Sequence, residues 1–199
     1  MYKITLFIIA SIIVAASAFE KPDFCGGLEC PEYNSLMKEG DIEIREYQES
    51  HWVSTEMKGD NNSSGFRTLF NYISGNNETK EKMKMTAPVL KKISAKTPFT
   101  SDEVVSTMSF FLGYKYQNGE APKPTNANTF LEKIAYKKVA VISYGGYSNK
   151  QKEQENLITL GDFLVKNDMK FTTDHYFTAG YDAPFKFIYR HNEVWVELN

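Results

Sequence analysis

The chain has 199 residues, with 23 Lys and Arg against 25 Asp and Glu, a formal charge of −2, and 42% hydrophobic residues. That balance lacks the basic footprint of a nucleic-acid binder, and no four zinc ligands fall together in the sequence. The length suits one domain with a sizeable core.

The first residues read as a targeting segment rather than as fold. Lys3 gives a positive start, Ile4 to Ala16 is almost wholly apolar, and Ala16-Ser17-Ala18 is a small-x-small cleavage site. Residues 1–18 are therefore expected to be a secretory signal peptide, with an apolar core too short for an ordinary membrane span. An uncleaved anchor is the alternative. After cleavage no transmembrane segment is expected, and the chain should be secreted and extracellular. Residues 19–40 form an N-terminal segment in which Cys25 and Cys30 are expected to pair across Gly26-Gly27-Leu28-Glu29. Closing so small a loop is worth about 2 kcal/mol on the loop-entropy model, and the spacing is not that of a redox C-x-x-C.

The domain proper is expected over residues 41–199. Ile42 to Tyr47 alternates cleanly as a strand, and Trp52 to Met57 is expected to pair back on it as a hairpin. Ser63 or Ser64 can cap a helix running to Ser74, with Phe66, Leu69, Phe70 and Ile73 as one apolar stripe and Gly75 ending it. Strands are expected from Lys82 to Ile93 and from Val104 to Tyr114. In the first, Met83, Met85, Ala87 and Val89 alternate with Lys82, Lys84 and Thr86. Methionine is unusual in a strand and suits either an irregular core gap or an adaptable pocket wall. Pro88 belongs near a strand end or edge.

Ala121-Pro122-Lys123-Pro124-Thr125 is a stiff connector, after which the order recurs. Phe130 to Ala135 and Lys138 to Tyr144 read as strands, and Gly145-Gly146 as a turn. Asn149 opens a helix carrying Leu157, Leu160, Phe163 and Leu164. Tyr176 to Gly180 and Glu193 to Leu198 close the chain as strands. Each half, about 41–120 and 126–199, thus reads strand-strand-helix-strand-strand. Two similar halves whose sheets curl together, with two α-helices outside, make an α+β fold. Three sequons, at Asn61, Asn62 and Asn77, are expected to mark a glycosylated surface.

Four ordered fragments carry a family resemblance: Glu43-Ile44-Arg45-Glu46-Tyr47, Lys84-Met85-Thr86-Ala87-Pro88-Val89, Tyr176-Phe177-Thr178-Ala179-Gly180-Tyr181, and Asn192-Glu193-Val194-Trp195. In this order and at these separations the chain resembles the SOUL haem-binding protein family from about Cys30 to Leu198. The resemblance implies a distorted eight-stranded antiparallel β-barrel flanked by two α-helices. It also implies haem or another tetrapyrrole as ligand rather than as catalytic cofactor. The histidine proposed as axial ligand in some members falls here at Glu46, and a carboxylate replaces imidazole poorly at haem iron. Other members are thought to hold haem in an apolar groove between the first helix and the loop before the last strand. The matching residues are Arg67, Phe70 and Asn71 with Tyr181, Pro184, Phe185, Lys186 and Phe187. The two phenylalanines offer flat apolar area, and Arg67 and Lys186 offer charge for propionates. Packing of the helix onto the barrel is the competing reading of its apolar stripe.

No enzyme is expected. His51, His175 and His191 accompany no Gly-x-Ser-x-Gly elbow and no reactive lone cysteine. Asp174 and His175 should face opposite sides of a strand, whereas His175 and His191 come near each other if the last hairpin brings them together. The leading expectation is a secreted small-ligand binder for haem or a related porphyrin. An extracellular protein-interaction module without haem binding is the alternative, and a weak hydrolase of small molecules the third.

Overall fold

The computed structural model describes residues 19–57, 62–95, 103–135 and 137–199. The expected leader and Asn61 lie outside the described residues. Among the described residues nine strands and two α-helices follow in the order β1 (Tyr33–Glu39), β2 (Ile42–Tyr47), β3 (Ser50–Met57), α1 (Asn62–Ile73), β4 (Val89–Ala95), β5 (Glu103–Phe111), β6 (Thr129–Ile134), β7 (Lys137–Tyr144), α2 (Lys150–Lys166), β8 (His175–Gly180) and β9 (Asn192–Glu197).

All nine strands form one antiparallel sheet in the order β1-β2-β7-β9-β8-β4-β5-β3-β6. The end strands β1 and β6 do not pair with each other, so the sheet curls without closing, and the closure of the expected eight-stranded barrel is not seen. The extra strand is β1, which lies within the segment expected to precede the domain. It is mostly exposed and interrupted by a bulge between Ser35 and Met37, so it carries no alternating apolar signal.

The repeated plan is present, but the first strands change places. β2 pairs with β7 of the second half, and β6 of the second half pairs with β3. The expected β2–β3 hairpin is therefore absent. Strand-length apolar patterning specifies a strand but not its neighbour, which long-range packing decides.

Register across the sheet assigns its two faces. Val194, Thr178, Lys91, Met108 and Thr55 succeed one another across β9, β8, β4, β5 and β3 on the face that carries both helices. There α1 packs with Val53, Met57, Met108 and Phe110, while α2 packs Leu157, Leu160 and Leu164 on Ile42, Ile44, Ala140, Val194 and Val196. The opposite, concave face carries a third cluster that includes Tyr47, Trp52, Leu90, Phe177 and Trp195. Strands such as β2 and β9 are thus buried on both faces.

The helices begin and end for local reasons. The Asn149 side chain accepts the Lys152 N–H at 2.9 Å and caps α2. α1 starts at Asn62, so Ser63 and Ser64 lie in its first turn. Its buried face is Gly65, Leu69, Tyr72 and Ile73. Gly65 is needed because a Cβ there would stand 2.6 Å from the Met57 sulfur. Gly75, at φ +107°, releases the chain in a conformation that L side chains rarely adopt.

The segment Lys82–Pro88 is not a strand. Its alternation of exposure is real, with Met83 and Met85 half-buried against the α1 cluster and Lys82 and Lys84 exposed. Its backbone bonds go elsewhere: the Met83 N–H donates to the Ile73 carbonyl, and the Ala87 N–H to that of Glu29. Pro88 follows a cis peptide bond and has no N–H for a ladder, so β4 begins at Val89.

Candidate ligand-binding site

Phe185 and Phe187 project from the connection between β8 and β9, three-quarters exposed, and are joined there by Ile188 and Tyr189 at 68% and 89%. Four such side chains on one loop are more than scattered surface hydrophobics. The backbone beneath them is pinned. The Arg190 guanidinium donates to the carbonyls of Ala183 at 2.7 Å, Lys186 at 2.8 Å and Asp182 at 3.3 Å. The Asp182 carboxylate accepts from the His191 N–H at 2.6 Å and pairs with Lys186 at 2.5 Å. Burial pushes the Asp182 carboxyl up, yet the Lys186 and His191 hydrogen bonds outweigh it and hold the group below its usual range. Tyr147, whose ring lies 4.5 Å from the Arg190 guanidinium, donates its hydroxyl to the Pro184 carbonyl. The loop is a rigid mount for apolar side chains.

The other expected residues lie on the exposed edge of α1. Phe66 and Phe70 stack with ring centres 5.8 Å apart, and Phe66 also meets Phe110 edge-on at 5.3 Å. Only the Leu69 and Ile73 part of the expected stripe is buried; Phe66 and Phe70 stay in contact with solvent. Arg67 and Asn71, one turn apart, are exposed beside them, and Arg67 makes no salt bridge among the described residues. Gly180, where β8 ends, pairs with Val89, and Val89 packs on the α1 cluster.

Tyr181 stands apart from the surface residues. Its ring is buried on the concave face, and its hydroxyl donates to Glu193 at 2.8 Å. Glu193, wholly buried, also accepts from Arg45 Nη2 at 2.9 Å and Nη1 at 3.1 Å, from the Trp195 indole at 2.7 Å, and meets His191 Nε2 at 2.7 Å. Arg45 reaches Glu43 through Nε at 2.8 Å and the Tyr47 hydroxyl at 3.1 Å. Burial raises the Glu193 carboxyl, but Arg45 and His191 overcome it and hold the group down to about 2. Burial drives the Tyr181 and Tyr47 phenols well up. This network was missed in the sequence. Its signal was Glu43, Arg45 and Tyr47 at alternate positions, a polar run on what proves to be an inward face.

The N-terminal segment covers this network. Phe24 stacks on His191 at 4.0 Å and meets Tyr181 edge-on at 4.8 Å. Cys25 and Cys30 are joined, as expected, and both are buried in the concave cluster.

The histidines are occupied in separate places. His51 Nδ1 lies 2.9 Å from the Tyr116 carbonyl oxygen. His175 and His191 sit at opposite ends of the β8–β9 pair, so the last hairpin does not bring them together. His175 does meet Asp174, at 2.7 Å between Nδ1 and Oδ1, contrary to the expectation from strand alternation, because Asp174 precedes the strand and is free to turn back. No group of three or more His, Cys, Asp or Glu among the described residues could hold a metal ion. Glu46 lies on the helix-bearing face of β2, 3.7 Å from Lys138. Asn62 is exposed at the start of α1, but Asn77 is buried. Its Nδ2 donates to the Tyr72 and Glu81 carbonyls, and its Oδ1 accepts the Glu81 N–H. That nitrogen is the atom a glycan would need, so Asn77 is a buried turn-organising residue and not the glycosylated surface position expected.

The SOUL heme-binding protein model matches residues 28–197. Heme-binding protein 2 of Homo sapiens is 37% identical over 187 residues, which cover 92% of this chain and 87% of that protein. Heme-binding protein 1 of Xenopus tropicalis is 28% identical, over 90% of this chain and 97% of its own. The EcmrR C-terminal domain has a similar fold, with a TM-score of 0.56, 13% identity and coverage of 84% and 98%. The chain belongs to the SOUL heme-binding protein family.

Proposed function

We propose that this member of the SOUL family is a secreted binder of haem or a related tetrapyrrole, holding it against the 182–190 loop and the exposed edge of α1. Family membership supports the ligand class. The observation that carries the site is the set of four exposed apolar side chains, Phe185, Phe187, Ile188 and Tyr189, mounted on a loop pinned by Arg190 and Asp182. Such a mount has little freedom left to lose when a flat ligand settles on it. Phe66 and Phe70 supply a second aromatic wall, and Arg67 and Lys186 supply cations for the propionates.

Bound haem brings its own iron chemistry. The protein's part in this reading is apolar contact and charge, without a strong axial histidine. No histidine lies on α1 or within residues 182–190, and Glu46 sits beside a lysine on another strand. Secretion is favoured by the apolar stretch at residues 4–16 and by the Cys25–Cys30 disulfide, which persists in an oxidising compartment.

Titration of the purified protein with haemin, followed at the Soret band, tests the reading. A saturable shift is expected, weakened at least tenfold by Phe185→Ala combined with Lys186→Ala. A non-saturable response overturns it. The same exposed loop would also suit docking of an extracellular protein, and a partner captured through Phe185 independently of haem would favour that second reading.

A further inference from the structure

The concave face holds a cavity that none of the loop chemistry uses. Its deep part is a narrow apolar slot lined by Tyr47, Trp52, Leu90, Val139, Phe177 and Trp195. Through Leu90, Ile134, Lys137 and Phe177 this slot runs into an open trough of about 430 Å³. The volume is within the range of small-ligand sites. At the far end the N-terminal disulfide segment closes the concave face over Tyr181 and His191, so the trough is the open end.

The charges at the mouth are not equivalent. Lys137 pairs with Glu197, and exposed Lys133 with Glu49. Glu132, the carboxylate in the trough lining, is engaged by the hydroxyls of Ser54 and Ser109. Lys92 is half-buried, and among the described residues no carboxylate lies within salt-bridge distance of it. Its ammonium rests 5.8 Å from the centre of the Phe177 ring. Register places Trp195, Phe177, Lys92 and Thr107 in one row across β9, β8, β4 and β5. A cation without a carboxylate partner among the described residues thus stands beside an aromatic floor leading to an apolar slot.

We propose that this trough is a second ligand site, separate from the loop, and that it takes an apolar monocarboxylate of the medium-chain fatty acid type. The carboxylate pairs with Lys92, with the Thr107 hydroxyl in the same lining, and the chain lies on Phe177 toward the two tryptophans. The shape of the lining, polar at the mouth and apolar within, matches an anionic head on a hydrocarbon tail.

The chain's two tryptophans, Trp52 and Trp195, both line the slot, so the protein reports on its own occupancy. A fatty acid of about ten carbons brominated near its tail, a length suited to a cavity of this class, should quench their fluorescence saturably below its micellar concentration. The matching brominated alcohol should bind at least tenfold more weakly. Lys92→Met should remove that preference, whereas Lys92→Arg and Lys133→Met should keep it. A haemin titration of the acid-saturated protein should follow the same Soret curve as the free protein. The proposal is overturned if quenching does not saturate, if acid and alcohol bind alike, or if Lys92→Met leaves the preference intact. Displacement of the acid by haemin would equally overturn it, by showing one site rather than two. Failure of haem binding with acid binding intact would count against the loop reading alone.

Discussion

Replacing Arg45 with methionine keeps the length of the side chain and removes the charge at the centre of the concave network. Arg45 is 1% exposed and makes four polar contacts, two of them to Glu193 and one each to Glu43 and the Tyr47 hydroxyl. Its guanidinium also lies 4.4 Å from the Tyr33 ring centre. Removing one partner of a buried ion pair costs about 3–5 kcal/mol, because the other charge stays buried. Here Tyr181, Trp195 and His191 still face Glu193, which favours the lower end, about 3 kcal/mol. For a domain of this size 1 kcal/mol moves the melting temperature by about 2–4 °C, so a fall of roughly 6–12 °C is expected at neutral pH. The pH dependence separates charge from packing. In the native protein the Glu193 carboxyl lies at about 2, below its ordinary value of 4.5. Its contribution is therefore complete above 4.5 and lost as pH falls through about 2. Without Arg45 the largest lowering influence is gone and burial pushes the folded-state value up; the penalty then applies at neutral pH and fades once acid protonates the carboxylate. The gap between native and Arg45→Met melting temperatures should narrow steadily from pH 7 to pH 3, as read by circular dichroism. A gap that stays constant over that range would refute the electrostatic account and leave only lost packing.

Further outcomes are expected at three places in the fold. Gly65→Leu should destabilise by about 1–3 kcal/mol through overpacking, since even a Cβ meets the Met57 sulfur at 2.6 Å, and chemical denaturation would show it; an unchanged midpoint means that α1 simply shifts. Peptide mass mapping of protein secreted from eukaryotic cells should find Asn77 unmodified, because both hydrogens of its amide are already donated to backbone carbonyls. Asn77→Ala should lower the melting temperature by several degrees. Cys25→Ser with Cys30→Ser should cost about 2 kcal/mol from loop entropy. It should also speed proteolysis within residues 19–32, because the disulfide fixes the segment that sets Phe24 on His191.

How much of this was legible in the sequence depends on how many faces each strand buries. β5 and β7 were found close to their true bounds, as were both helices, because apolar spacing and the Asn149 and Gly75 end signals act locally; β4 was expected from Lys82 but begins at Val89, because alternation of exposure alone does not make a ladder. β2 was found as a strand but given the wrong partner. With both faces buried, Ile42 and Ile44 toward α2 and Glu43, Arg45 and Tyr47 toward the interior, alternation alone does not say which set faces the core. Nothing in the alternation marked the polar set as the charged centre of the fold. β1 failed for the opposite reason: an exposed edge strand has no buried face to leave a pattern. Of the loop residues, Phe185 and Phe187 are on the surface. Tyr181 is not, because it is still in phase with Phe177 and Ala179 on the concave side of β8.

The same two-faced construction accounts for the separation of the two ligand surfaces proposed above. Both helices cover the convex face, and the aromatic edge of α1, Phe66 and Phe70, stays in contact with solvent there. The concave face, left without a helix, is sealed at one end by the disulfide segment. Phe24 fills the space between Tyr181, His191 and Arg45, and Glu29 ties the same segment across to Ala87 and Tyr114. That seal lies between the Arg45–Glu193 network and water, which is what lets so concentrated a set of charges stay buried and paired. It also leaves the Lys92 end as the route into the concave face. Loosening the seal, by Phe24→Ala or by reducing the disulfide, should therefore weaken the Glu193 network before it alters the trough. In acid titration this is expected to raise the pH at which the fold begins to fail, while tryptophan quenching by the brominated acid at neutral pH stays the same.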